Sequence, residues 1–116
     1  MKQEQLKTIR GQLENRAIDM GARFFGVANL TGTLETIVEQ GGDFLAVFPR
    51  ALSLGIALND GIVDQLPRHK EAGVARTYDY LYYTVNQSLD RIALSLSVIL
   101  DENGFKTLLI PASDTI

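Results

Sequence analysis

Between Arg76 and Asn103 the chain contains neither proline nor glycine, and Gly104 follows at once. Those two residues are the strongest helix breakers, so the stretch predicts one long helix closed by Gly104. This rod constrains the fold more than any other feature because it is apolar in two directions. At about 100° per residue, Leu81, Val85, Leu89, Ile92, Ala93, Leu96, Ile99 and Leu100 share a sector about 120° wide, enough to cover a sheet. Asp90 and Asp101 fall on the other side. So do Tyr80, Tyr83, Leu94 and Val98, with Gln87 in the same row. Isolated exposed leucines and tyrosines are ordinary and need no account. Four on one stripe are less ordinary, and the row predicts a contact with another subunit or domain.

The rest of the chain supplies what the rod's broad face covers. Leu6, Ile9, Leu13, Ala17 and Met20 recur at three and four residues, which predicts a helix over 4–20 closed by Gly21. Arg23 to Leu30, with Phe24, Phe25, Val27 and Leu30, predicts a short buried strand. Thr31 or Thr33 is available to cap a two-turn helix over Leu34 to Gln40, which ends at Gly41-Gly42. Phe44 to Phe48 is ambiguous. Ala51 to Leu58 alternates Leu52, Leu54, Ile56 and Leu58 with Ser53, Gly55 and Ala57, which predicts a strand whose small-residue face lies under something bulky. Asn59-Asp60 opens a short helix through Gln65, stopped by Pro67. Phe105 to Ile110 predicts a third strand, ended by Pro111. The order helix–strand–helix–strand–helix–helix–strand predicts one α/β domain over residues 1–116: a small sandwich of about three strands with the long helix on the sheet.

Composition then removes whole classes of function. A chain of 116 residues, 46% hydrophobic and 22% charged, has the make-up of an ordinary folded domain. It has no cysteine, which excludes a disulfide, a thiolate nucleophile and an iron–sulfur cluster held by this chain, and its single histidine excludes any site needing two imidazoles. A net charge of −3 argues against a nucleic-acid partner. Residues 1–5 lack the apolar region of a secretory signal, and the apolar stretch from Phe44 to Leu58, interrupted by Pro49-Arg50, is shorter than the roughly 20 residues a bilayer requires. A cytoplasmic protein with no membrane partner is the expectation.

Candidate chemistry is sparse. His69, between Arg68 and Lys70, reads as a solvated loop residue unless a carboxylate and a pocket surround it. The Tyr78-Asp79-Tyr80 and Tyr82-Tyr83 cluster reads first as packing and second as a platform for a flat ligand. No glycine-rich phosphate loop, no nucleophile elbow and no metal-ligand spacing is present, so no catalytic or metal-binding residue is assigned. Ser113 and Asp114 follow the expected last strand, where ligands of α/β folds gather.

The spacing Tyr83-x-x-Asn86-x-x-Leu89-Asp90-x-x-Ala93-x-x-Leu96-x-x-x-Leu100-x-x-x-Gly104-Phe105, followed by Ile110-Pro111-Ala112-Ser113, resembles the N-terminal part of epoxyqueuosine reductase-like proteins. The segment from Gly21 to Leu30 and the strand from Arg50 to Ile56 fit the same pattern. That family is related to reductive dehalogenases, and the resemblance implies an iron–sulfur and cobalamin-dependent reductase, with this part joined to catalytic and ferredoxin-like parts. The cysteine runs and catalytic acid of the family have no counterpart here. The resemblance carries over only Tyr83, Asn86, Pro111, Ala112 and Ser113, as residues beside a cofactor cleft, with cobalamin the implied cofactor. Three expectations follow. The first is a non-catalytic N-terminal-type domain that shapes a cofactor or substrate cleft and leans on a missing C-terminal part. The second is a free-standing module that dimerises through Tyr80, Tyr83, Gln87, Leu94 and Val98. The third is a small corrinoid or flavin carrier.

Overall fold

Helix α1 (Gln3–Asp19) buries Leu13 and Ala17 and packs Ile9 against them, as its stripe requires. A computed structural model provides this and all that follows for residues 3–112. Gly21 ends α1 at a φ of +109°, a conformation that L side chains rarely adopt. The Gly21 N–H bonds the Ile18 carbonyl at 3.0 Å and the Ala22 N–H bonds the Ala17 carbonyl at 2.9 Å. This paired closure is a Schellman motif. It carries Ala22 straight into the core beside Ala17.

Strands β1 (Phe24–Asn29) and β2 (Arg50–Gly55) pair antiparallel, in register from Phe24 opposite Gly55 to Asn29 opposite Arg50. The pleat puts Phe25, Val27, Leu52 and Leu54 on one face. From that face Phe25, Leu52 and Leu54, with Ile56 just beyond the strand, pack on the core cluster of Leu13, Ala17, Ala22, Ile92, Leu96 and Ile99. The opposite face holds the small residues Gly26, Ala28, Ala51, Ser53 and Gly55. Ala28, Ala51 and Ser53 are exposed. The bulky cover expected for this face comes from Phe24 alone, whose ring lies so near Gly55 that a Cβ there would sit 2.9 Å from Phe24 Cδ2. No further strand is paired to either outer edge among the described residues, and β1, expected to be a buried strand, has no fully buried residue because only one of its faces packs on the core.

Between the strands, a 3-10 turn (Thr31–Thr33) leads into α2 (Leu34–Gly41), and a second (Asp43–Val47) resolves the ambiguous Phe44 stretch as irregular helix. Neither threonine caps α2. The Thr31 hydroxyl donates to Asn29 Oδ1 at 2.9 Å, and the Thr33 hydroxyl donates back to the Leu30 carbonyl at 3.2 Å. The short α3 (Asp60–Val63) and a 3-10 turn (Leu66–Arg68) then bring the chain to α4 (Ala72–Glu102). No helix among the described residues is long and apolar enough to cross a membrane.

Helix α4 packs on the sheet as its broad apolar sector predicts, with Ile92, Leu96 and Ile99 buried. It ends like α1, with Gly104 at a φ of +86°, Gly104 N–H on the Asp101 carbonyl and Phe105 N–H on the Leu100 carbonyl. The expected third strand from Phe105 to Ile110 is a correction, because this segment has no ladder. Side chains of α4 hold it instead. Asp101 Oδ1 accepts from the Thr107 hydroxyl at 3.1 Å, and Asp90 Oδ1 accepts from the Ala112 N–H at 2.8 Å. The α/β class therefore stands with two strands, not about three.

The molecule is extended. Its radius of gyration is 17.0 Å, where a compact domain of this length has about 13 Å. Its accessible surface is 8768 Å², where a monomer of 12.8 kDa exposes about 6,300 Å².

Candidate functional site

Two surfaces stand out, on different sides of α4. The first is an apolar trough of about 680 Å³. Leu13, Leu52, Leu54, Leu96 and Leu100 contribute to its lining, and its rim includes the irregular segment from Phe105 to Ile110. That segment's β-like composition is explained here, since β-propensity measures fit to a half-buried surface as much as pairing. Leu108, Leu109 and Ile110 form part of the wall while staying exposed to solvent.

The charges of the trough have one sign. Lys7, Arg10, Arg50 and Lys106 line it, and among the described residues no aspartate or glutamate does. The chain as a whole has 14 acidic and 11 basic residues, so the trough runs against its overall charge. None of the four cations joins an ion pair, because the salt bridge present among the described residues is the one between Arg68 and Glu71. Sequence reasoning did not find this group. The four residues come from α1, the start of β2 and the chain after α4, and only the topology assembles them.

The second surface is the outer row of α4. Tyr80, Tyr83, Leu94 and Val98 are 71%, 62%, 53% and 48% exposed, on the side the helical wheel assigns. Gln87 Nε2 donates to Tyr83 Oη at 2.7 Å, which locks one turn of the row. Tyr78 and Tyr82 place their ring centroids 6.3 Å apart at a tilt of 33°.

The residues carried over by resemblance lie near this row. Asn86 is half-buried one turn before Asp90, whose carboxylate receives the Ala112 N–H, so Pro111 and Ala112 are tied to the side of α4 that carries Asn86 and Tyr83. Ser113 lies outside the described residues. Neither the trough nor the smaller concavity by Arg23 and Leu58 is lined by Tyr83, Asn86, Pro111 or Ala112.

His69 is exposed, and its Nδ1 donates to the Leu66 carbonyl at 3.0 Å. Arg68 holds Glu71 through two nitrogens, and this contact raises the guanidinium above its ordinary value. The pair ties the turn before α4 to Glu71, the residue that precedes the helix. Among the described residues no cluster of His, Asp and Glu is placed to hold a metal ion. Comparison with known protein families, curated proteins and solved structures finds no match to this chain.

Proposed function

We propose that this chain is a non-catalytic domain of the kind found at the N-terminus of epoxyqueuosine reductase-like proteins, supplying one wall of a cofactor or substrate cleft whose other wall belongs to a C-terminal catalytic part. The observation that carries the reading is the surface excess: 8768 Å² is about 2,500 Å² above the norm for this mass, more than one partner contributes to a standard interface. The excess includes the bare small-residue face of the sheet and the outer row of α4. Both are apolar surfaces that water covers poorly and another polypeptide would cover well.

The reading frame beyond codon 116 tests the proposal. A frame that runs on into Cys-x-x-Cys-x-x-Cys spacing supports it. A frame that runs on without cysteine, or stops, sinks it. Hydroxocobalamin added to the chain alone separates the carrier reading from this one. A carrier gains thermal stability from a ligand bound only by its folded state, whereas a single wall gains none.

A second reading, a free-standing module that pairs with its own copy, is favoured by one observation. Tyr80 with Tyr83, and Leu94 with Val98, form two exposed patches along one side of a regular helix, the geometry from which two-fold helix pairs are built.

A further inference from the structure

We propose that the trough is a binding site for a single-chain amphipathic anion, an acyl carboxylate with a long hydrocarbon tail. The inference is independent of the reading above, because it rests on the trough and on neither the outer row of α4 nor the open face of the sheet.

Size comes first. About 680 Å³ lies in the middle of the range for small-molecule sites, about 300–1,000 Å³. An α-helix about 10 Å across would fill that volume in fewer than about six residues, so the trough does not seat a helical peptide. An extended peptide would bring backbone N–H and C=O groups that need partners, and the side chains of the lining offer few. The uncharged polar side chains on the lining are Ser97 and Thr107, and both already donate, to the Leu94 carbonyl and to Asp101 Oδ1. A hydrocarbon tail makes no such demand. It needs only apolar surface, which Leu13, Leu52, Leu54, Leu96 and Leu100 provide.

Charge decides the head group. Among the described residues, four cations and no acid line one concavity in a chain of net charge −3. None of the four is spent on an internal ion pair. A carboxylate there gains charge-assisted hydrogen bonds next to a low-dielectric wall, where they are stronger than in water. Arginine's planar fork suits a carboxylate in two-point contact, and Arg10 and Arg50 both line the trough. A neutral head group of the same chain length would gain none of this attraction.

Titration calorimetry of the full chain with dodecanoate, dodecanol and butyrate, each below its aggregation limit, reads this directly. Dodecanoate binds one to one, dodecanol binds at least tenfold more weakly, and butyrate shows no saturation. In the double variant Arg10→Gln/Arg50→Gln, affinity for dodecanoate falls about tenfold while affinity for dodecanol is unchanged. Both arginines are exposed and unpaired, so the variant keeps its thermal midpoint. Should that midpoint drop, Lys7→Gln/Lys106→Gln provides the same comparison. Equal affinity for acid and alcohol, no binding of dodecanoate at millimolar concentration, or full dodecanoate affinity in a folded double variant would each overturn the proposal.

Discussion

Leu96 is 2% exposed and Leu94, two positions earlier on the same helix, is 53% exposed. Two residues of an α-helix are about 200° apart, so this contrast is a direct test of phase. Truncating Leu96 to alanine removes core contacts that the neighbours can only partly refill, and should cost about 2–5 kcal/mol in urea unfolding. Truncating Leu94 should stay within about 0.5 kcal/mol. The reverse order, or a loss under about 0.5 kcal/mol at Leu96, would show that the buried face is misassigned. The leucines were legible because the 3.6-residue period separates them without help from tertiary structure. Ser97 was not. It lies at the edge of the polar side on the wheel and is nonetheless 7% exposed. It lines the trough with the chain that returns past Gly104, a long-range event no local period encodes.

Helix ends were legible where glycine sets them. Gly21 and Gly104 both sit at positive φ and both close a helix by the same pair of backbone bonds. A Cβ at Gly104 meets nothing within 4 Å, so Gly104→Ala isolates the backbone term from any packing clash. It should destabilise the fold by about 1–2 kcal/mol, the cost of a left-handed L residue, measured by thermal or urea unfolding with helix content followed by circular dichroism. Stability equal to the parent would mean that the closure is not held in solution. Other ends were less legible. Thr31 and Thr33 have the chemistry of helix caps, but local acceptors at Asn29 and Leu30 take their hydroxyls. The third strand failed for a related reason. Strand-like composition from Phe105 to Ile110 specifies an apolar wall, and the carboxylates of Asp90 and Asp101 supply the anchors that a ladder would have supplied.

At the scale of the molecule, the two-sided character of α4 was visible in one dimension, because both stripes belong to a single helix. The trough was not, since its four cations are separated by up to 99 positions along the chain and line one concavity only after the sheet and both long helices have docked. The outer row makes its own prediction. If Leu94 and Val98 join two copies, Leu94→Glu/Val98→Glu should reduce the mass in sedimentation equilibrium to that of one chain, 12.8 kDa, with unchanged circular dichroism. A wild-type chain already at that mass across the micromolar range would discard self-pairing through this row. The two outer edges of the sheet have a separate consequence during synthesis. Neither has a further strand paired to it among the described residues, and they flank a face of glycine, alanine and serine; such borders accept incoming strands from other copies. Overproduction at high density should therefore drive the chain into inclusion bodies, and a lysine in place of the outward-facing Ser53 should raise the soluble yield by making that border repel its like.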